Sequence, residues 1–288
     1  MRPEFDEISG KQTTGHEWNG IRELNTPMPK AFRLWLWASI AVAAFMWVLY
    51  PSFPLVTGAL QGVLGYSARQ NVLAAVADGI ATREASFAAL NEVPLDEFAR
   101  DPSFRANHEE AFSVLFRDNC SACHGRDAGG QVGFPDLTDG HWLWSGTAEE
   151  IEYTLQVGIN ADHDETRFAQ MPAFGRDEWL SQSELSDVAE YVLSLSGQDH
   201  DADAAQIGAV VFEDNCASCH NDAGVGGYEN GAPSLADDAW IYGSSRAAIM
   251  YTLEHGRAGG MPAWSDRLTE TEIKQITLYL LWQGQTDG

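Results

Sequence analysis

Two short motifs contain all four cysteines of the chain. The first reads CSACH at 120–124 and the second reads CASCH at 216–220. Two thiols three positions apart, followed at once by an imidazole, form the pattern by which a haem is attached covalently. One turn of helix presents both thiols to the two vinyl groups of one porphyrin edge, and the imidazole then lies beneath the iron. The sequence therefore predicts two covalently bound haem c groups, with the thioether bonds formed by Cys120, Cys123, Cys216 and Cys219 and the first axial ligands supplied by His124 and His220.

A zinc site and a pair of disulfides are the alternatives for these cysteines. Structural zinc needs further cysteines or histidines at matching spacing. No cysteine is left over, and the remaining histidines form no paired spacing. A disulfide between thiols three residues apart would close a loop too small to stabilise the fold much. Covalent haem attachment is therefore the favoured interpretation.

Each iron needs a second axial ligand, and two methionines are the candidates. Met171 and Met261 follow the histidines of their own copies by 47 and 41 residues, each in a Met-Pro-Ala-aromatic stretch. Methionine with histidine is the axial pair of electron-transfer cytochromes, and the thioether raises the reduction potential. Methionine is otherwise a filler of core gaps, but the shared context in two copies favours ligation. His163 and His255 occupy places that do not correspond, so we interpret both as surface or supporting residues.

The two motifs belong to a long internal repeat. FRDNC at 116–120 corresponds to FEDNC at 212–216, an offset of 96, and Trp142 corresponds to Trp240 at an offset of 98. The methionines correspond at an offset of 90, so the first copy holds eight more residues before its methionine. A repeat of this length is a duplicated domain. We predict cytochrome c domains at 102–197 and 198–288, each with its own helical core around its haem.

Local signals place the helices of each copy. Asp101-Pro102 predicts the start of a helix that leads into the first attachment motif. Capping boxes are predicted at three further helix starts, namely Thr147/Glu150, Ser181/Glu184 and Thr269/Glu272. Pro135 and Pro233 follow the motif histidines by 11 and 13 residues. Backbone carbonyls there are expected to accept the second N–H of each histidine and to fix its tautomer.

An apolar segment precedes the repeat. Residues 34–50 carry no charge, which is near the lower end of the range of about 17–25 residues that span a bilayer. Flanking apolar residues extend the segment to 34–56, and aromatic residues near its ends suit the membrane interfaces. A cleaved signal peptide and a buried core helix are the alternatives. The long region of mixed charge before the segment argues against a signal peptide. We predict a tail at 1–33, a single transmembrane anchor at 34–56 and a linker helix within 57–101.

The basic residues set the expected orientation. Arg22, Lys30 and Arg33 precede the anchor, and the next basic residue is Arg69. The positive-inside rule then places the N-terminus in the cytoplasm and the haem domains in the periplasm of a bacterial cytoplasmic (inner) membrane. Covalent haem attachment, which bacteria carry out on the outer face of that membrane, agrees with this orientation.

The net charge is strongly negative. The 288 residues carry a formal charge of −25, and the first 33 residues contribute nothing to it. Such a field repels nucleic acid and attracts basic partners at low salt. Docking of a basic partner and solubility in a salty medium both remain open as its role. The chain shows no nucleophile–base pattern, no glycine-rich phosphate loop and no basic patch for nucleic acid, which favours electron transfer over catalysis.

The two copies resemble class I cytochrome c domains. Gly208 and Phe212 before Cys216 match that family's Gly-x-x-x-Phe lead-in, in which the glycine lets two helices cross closely. In the first copy Phe112 stands in place of the glycine, which argues against a tight crossing there. The expected fold class is mainly α, with one N-terminal transmembrane helix followed by two tandem class I cytochrome c domains.

Nearly the whole chain resembles the membrane-anchored dihaem subunit of cbb3-type cytochrome oxidases, the CcoP/FixP family. The stretches that carry the resemblance are 13–25, 50–56, 167–175 and 231–240. The first of them is the specific one, because generic dihaem cytochromes lack it. The resemblance implies two haems with histidine and methionine ligands and electron relay in aerobic respiration and oxidative phosphorylation. The electrons would come from a cytochrome c donor and pass to a mono-haem subunit, then to the haem–copper subunit that reduces oxygen.

Two other functions remain as alternatives. A dihaem peroxidase would need one iron that is open or can open, with an acid–base residue above it. The cytochrome subunit of a membrane dehydrogenase would keep both irons closed but would assemble with a different partner. In the favoured interpretation the chain is an electron-transfer subunit of an oxidase complex without its own catalytic residues.

Overall fold

The computed structural model of the protein describes residues 4–51 and 53–284. The chain divides into two compact units, one ending at Thr82 and the other beginning at Arg83. The first unit contains the short strands β1 (Phe5–Asp6), β2 (Lys11–Trp18), β3 (Ile21–Leu24), β4 (Pro54–Leu55) and β5 (Gly58–Ala59), the helix α1 (Lys30–Leu49) and most of α2 (Ala68–Ser86).

The predicted N-terminal tail contains a small antiparallel sheet in the order β1-β2-β3. Trp18 pairs with Ile21 across the two-residue turn Asn19-Gly20. Both turn residues have positive φ, +50° and +87°, as a turn that matches the twist of the flanking strands requires. An Asn-Gly pair between two extended runs was the sequence signal for this hairpin.

The helix α1 is the candidate membrane anchor. It has 20 residues, a mean hydropathy of 1.7 in its most apolar window and no buried residue. It begins four residues before the predicted segment and ends at Leu49, just before Pro51. The residue before a proline is biased away from the helical conformation, so the apolar residues at 53–56 do not continue the helix. By length and composition α1 can cross a bilayer.

The second unit is almost entirely helical. A 3-10 turn, Ala88–Asn91, precedes nine α-helices in the described part of this unit. They are α3 (Leu95–Ala99), α4 (Pro102–Asn119), α5 (Ser121–His124), α6 (Ala148–Val157), α7 (Gln182–Leu195), α8 (Ala202–Asn215), α9 (Ala217–His220), α10 (Arg246–His255) and α11 (Glu270–Gln283).

The capping signals are confirmed, one of them only in part. Asp101 accepts hydrogen bonds from two amides of the first turn of α4. Complete capping boxes open α7 at Ser181 and α11 at Thr269. At α6 the Thr147 hydroxyl accepts from the Glu150 amide, but the Glu150 carboxylate binds Arg167 and does not reach back to the N-cap.

The helices build two separate cores, which we call the first and the second lobe. The first lobe combines the end of the predicted linker, from Leu90, and the first copy up to Leu155 with residues 261–282 of the second copy. The second lobe combines residues 171–195 of the first copy with residues 211–253 of the second. The expectation that each copy builds its own core is therefore corrected: the two copies exchange their C-terminal parts.

Ring contacts show the exchange directly. Tyr279 of α11 packs on Phe116 of α4, and Tyr191 of α7 packs on Phe212 of α8, both with ring centroids 5.1 Å apart. Only six residues, 196–201, join α7 to α8. Helices joined by so short a connection become antiparallel neighbours, so α7 packs on the helix that follows it. The place beside α4 is then taken by α11.

The glycine of the lead-in motif acts as expected, but on a helix from the other copy. A Cβ atom on Gly208 of α8 would lie 2.0 Å from the Asp187 carbonyl oxygen of α7. In the first lobe, Phe112 of α4 stacks on Trp282 of α11, with centroids 5.6 Å apart and planes 5° from parallel. An aromatic pair thus fills the crossing where the glycine is missing.

The end of the predicted linker is part of the first lobe. Leu90, Leu95 and Ala99 are all buried in its core. The indole N–H of Trp282 donates to the Ala99 carbonyl at 3.3 Å. The linker helix itself is α2, which lies within the predicted range 57–101.

Two candidate haem sites

The first attachment motif lies where α4 ends. Cys120 is the C-cap of α4, and α5 supplies one helical turn that carries Cys123 and His124. The Nδ1 atom of His124 lies 3.1 Å from the Pro135 carbonyl oxygen, which can only accept. Nδ1 therefore carries the proton, and Nε2 keeps a free lone pair for a metal ion. The expected role of the Pro135 carbonyl is confirmed.

The second motif repeats this arrangement at the end of α8. Cys216 is the C-cap, and α9 carries Cys219 and His220. Nδ1 of His220 lies 2.9 Å from the Pro233 carbonyl oxygen. A histidine whose second nitrogen is held in this way is oriented and made more basic as a metal ligand.

Burial sets the protonation of both motifs. It lowers the pKa of His124 and of His220, although the carbonyl hydrogen bond opposes the shift in each case. Both imidazoles are therefore neutral at physiological pH, as metal ligation requires. Burial raises the pKa of Cys120 to about 12 and that of Cys216 to about 11. None of the four cysteines forms a disulfide in the described part of the chain, which leaves all four sulfur atoms for thioether bonds with a haem.

The methionines lie on opposite lobes from the histidines of their own copies. Met261 packs on the core that contains Cys120, and Met171 packs on the core that contains Cys216. We had expected each methionine to pair with the histidine of its own copy, but the structure places each methionine in the lobe of the other histidine. The reason is the helix exchange, since each methionine lies just before the helix that crosses to the other lobe.

Two short backbone pairings hold the crossing segments. Met261 and Ile159 exchange hydrogen bonds of 2.8 Å, and Met171 and Arg257 exchange bonds of 2.8 and 2.9 Å. Each candidate ligand is thus fixed by a residue of the other copy.

The residues present in each lobe suit a haem c group. Each lobe provides two free thiols on one helical turn, an imidazole with Nε2 available and a thioether from the exchanged segment. These are the groups that would hold a haem c, two cysteines by thioether bonds and the histidine and the methionine as iron ligands. Cys120 and Met261 belong to or pack on one apolar core, and Cys216 and Met171 belong to or pack on the other.

Two arginines near the methionines were missed by sequence reasoning. Arg167 and Arg257 each stand four residues before a methionine of the Met-Pro-Ala stretch. Their guanidinium groups lie over aromatic rings, with distances to the ring centroids of 4.0–5.1 Å. An arginine at the same distance before both methionines was the signal that could have found them.

Comparison with known proteins agrees with this architecture. Residues 10–57 match the family model described as the N-terminal domain of cytochrome oxidase-cbb3, FixP. Residues 111–196 match the cytochrome c model, and residues 203–280 match the model of cytochrome c oxidase, cbb3-type, subunit III.

Full-length relatives decide the family. The chain is 43% identical over 281 residues to the cbb3-type cytochrome c oxidase subunit FixP of Bradyrhizobium sp. (strain ORS 278), covering 96% of both chains. It is 43% identical over 287 residues to the subunit CcoP of Cereibacter sphaeroides, covering 97% of both. The chain belongs to the FixP/CcoP family of cbb3-type oxidase subunits. It is therefore a cytochrome subunit of a terminal oxidase, with cytochrome c domains that bind haem c and an apolar helix suited to membrane anchoring.

Proposed function

We propose that this FixP/CcoP subunit carries two haem c groups and relays electrons from a cytochrome c donor to the catalytic subunits of its oxidase. The observation that carries the proposal is the complete donor set in each lobe. His124 and Met261 are the proposed axial ligands in the first lobe, and His220 and Met171 in the second. The thioether bonds would be made by Cys120 and Cys123 in one lobe and by Cys216 and Cys219 in the other.

The covalently bound haems would supply one-electron redox chemistry. The protein's own residues have three tasks in this proposal. The Pro135 and Pro233 carbonyls hold the imidazoles in the tautomer that presents Nε2. The exchanged methionines would each bind an iron, which would leave no open position there for oxygen or peroxide. The buried side chains around each site keep water away and limit reorganisation when the charge changes.

The helix exchange adds a functional consequence. Each haem would be held by a histidine of one copy and a methionine of the other, so the two centres could not separate without loss of both ligand pairs. The second unit would then act as one relay with two redox centres. Separate cytochrome domains at 102–197 and 198–288 would each lack a ligand and a core helix.

The proposed place of the relay is the outer side of a bacterial inner membrane. Basic residues before α1 favour a cytoplasmic N-terminus, and the haem-bearing unit would then be periplasmic. The proposed partners are the mono-haem cytochrome c subunit and the haem–copper subunit of the oxidase, together with a soluble or membrane-bound cytochrome c donor. The names of the full-length relatives support the oxidase as the assembly.

The test uses the purified full chain. Mass spectrometry should show two haem adducts, and the oxidised spectrum should show the thioether-to-iron charge-transfer band. The reduced protein should bind carbon monoxide slowly and incompletely, because both sixth positions are filled. A peroxidase would instead show fast carbon monoxide binding at one haem, and that result, or a single adduct, would contradict the proposal. Purification with a flavin- or quinone-containing partner would point to a dehydrogenase.

A further inference from the structure

Arg167 has an unusual environment for a cation in the first lobe. Its guanidinium group lies 4.8 Å from the ring centroid of Trp144 and 4.9 Å from that of Tyr153. It forms an ion pair with Glu150, and its side chain is only 11% exposed. Its Nε atom is buried and has no hydrogen-bond partner among the described residues.

Arg257 has the corresponding environment in the second lobe. Its guanidinium group lies 4.0 Å from the ring centroid of Tyr242 and 5.1 Å from that of Tyr251. Its Nε and Nη2 atoms donate to the hydroxyl of Thr252 at 3.0 and 2.8 Å. The four rings correspond through the offset of 98 residues, Trp144 with Tyr242 and Tyr153 with Tyr251.

Arg167 and Arg257 occupy matching places in the two lobes, but they do not stand at corresponding positions of the repeated sequence. Arg257 follows Gly256 directly, and the residue at that place in the first copy is Ile159. The eight additional residues of the first copy bring Arg167 back beside Ile159. The Arg167 amide donates to the Gly158 carbonyl at 3.1 Å, and the Asn160 amide donates to the Arg167 carbonyl at 2.8 Å. A guanidinium group is thus present at the same place in both lobes although its sequence position differs.

Packing on aromatic rings does not account for this repetition. The cation–π contacts contribute about 0.5–2 kcal/mol each, but the buried Nε–H of Arg167 has no partner among the described residues, which costs about 1–3 kcal/mol. The ligand set of each lobe fits a haem c, and a haem brings two propionate carboxylates. An arginine fork matches a carboxylate with two parallel hydrogen bonds. The Arg257 backbone pairs directly with that of Met171, and the Arg167 backbone pairs with Gly158 and Asn160, on either side of the Ile159 that pairs with Met261.

Resting on the two-haem function above, we propose that Arg167 and Arg257 bind the haem propionates of the first and second lobes, and that Glu150 makes the first-lobe haem the one of lower reduction potential. The proposed site is thus a pair of arginines that bind carboxylates. Only the arginine of the first lobe is partly neutralised by a neighbouring acidic residue, Glu150. Ala248 stands at the place in α10 that corresponds to Glu150 in α6. Among the described residues, Arg257 forms no ion pair.

The sign of the effect follows from the charge on the iron. Oxidation adds one positive charge to a haem, so a nearby cation disfavours the oxidised form and raises the potential. A carboxylate beside that cation opposes the increase. Glu150 is 44% exposed, so solvent screens part of its effect but does not change its sign. When the protein takes up one electron, it should therefore reside on the second-lobe haem.

The test is a redox titration of the full-length protein with both haems bound. Glu150→Gln should raise the lower of the two midpoint potentials and narrow the gap between them. Ala248→Glu places a carboxylate at the corresponding position of the second lobe. It should lower the higher midpoint potential, which also narrows the gap between the two. Glu149→Gln removes the same charge from an exposed position next to Glu150 and should leave both potentials unchanged.

Several outcomes would overturn the proposal. If Glu150→Gln and Glu149→Gln have equal effects, only the general surface charge matters. If Glu150→Gln moves the higher potential, the assignment of the two lobes is wrong. If no variant moves either potential while two haem adducts and the charge-transfer band are intact, the propionate site fails but the relay survives. Absence of the second adduct or of that band would instead contradict the proposed function itself.

A second measurement reads the propionate contact directly. Arg257→Gln should shift the propionate bending band in the resonance Raman spectrum of one haem and lower the midpoint potential of that haem. Arg257→Lys keeps the positive charge, so the potential should fall less, but lysine cannot form the two parallel hydrogen bonds of an arginine. A purely structural arginine would leave that band in place even if the variant were less stable.

Discussion

The exchange of C-terminal helices makes a prediction that double-mutant cycles can test. Tyr279 contacts Phe116, and Tyr191 contacts Phe212, although each tyrosine belongs to the other copy. We would replace each of the four residues by leucine, singly and in pairs. Leucine keeps most of the apolar volume and removes the ring, so the pairwise term reports the ring contact.

The structure sets the expected size of the coupling. Both pairs have ring centroids 5.1 Å apart and planes tilted by 39° and 61°, which are favourable arrangements for aromatic rings. Such pairs contribute about 0.5–1.5 kcal/mol beyond the area that they bury. The pairs within one copy, Tyr191 with Phe116 and Tyr279 with Phe212, join residues of different cores and should be additive within about 0.3–0.5 kcal/mol.

The assay is equilibrium unfolding of the full-length protein in detergent by guanidinium chloride. The midpoint and the slope give the free energy of unfolding of each variant, and haem absorbance and tryptophan fluorescence follow the transition. Hydrogen exchange supplies the location: Tyr279→Leu should speed exchange in α4 and leave α8 protected. A coupling energy for Tyr191 with Phe116 and for Tyr279 with Phe212, together with additivity for the two exchanged pairs, would refute the exchanged packing. The two copies would then be independent domains.

Three further predictions concern single sites. Gly208→Ala places a Cβ atom 2.0 Å from the Asp187 carbonyl oxygen and should cost about 1–3 kcal/mol by overpacking, measured as a lower unfolding midpoint; an unchanged midpoint would mean that α7 and α8 cross less closely. Glu190→Gln should cost about 1 kcal/mol at neutral pH, because a neutral amide replaces the carboxylate that accepts from Arg246 and solvent screens the half-exposed arginine. That hydrogen bond holds the pKa of Glu190 below its usual 4.5, so its stabilisation is present above the usual value and is lost as pH falls through the lower one; a deficit that stayed constant in acid would contradict this. Met261→His should lower one midpoint potential, because a second imidazole replaces the thioether, and a change in both potentials would argue against one methionine per haem.

Local features of the chain were predictable because their causes are local. The attachment motifs, the helix caps at Asp101, Ser181 and Thr269, and the Gly208 lead-in each depend on a few neighbouring residues. The resemblance to the FixP/CcoP family is confirmed by the comparisons. The Asn19-Gly20 hairpin also has a local sequence signal, although residues 1–33 were predicted only as a tail.

The pairing of distant segments was not predictable in the same way. A repeat indicates that two copies exist, but both copies offer equivalent partners to α4 and α8, since Tyr191 and Tyr279 suit either phenylalanine. The six-residue connection between α7 and α8 decides between them by its length, and this is a geometric effect of the folded chain. Arg167 is a second example. The internal repeat pairs Arg257 with Ile159, and only the eight extra residues of the first copy bring Arg167 back to the corresponding place.

The sequence by itself determined the chemistry: two thiol pairs with their imidazoles, two methionines in a shared context, an apolar anchor and a family. The tertiary structure alone decided which methionine meets which histidine and where the arginines lie. The physical reason is that covalent and capping chemistry depend on spacing along the chain. The choice between two nearly identical partners instead depends on which helices the short connection allows to meet.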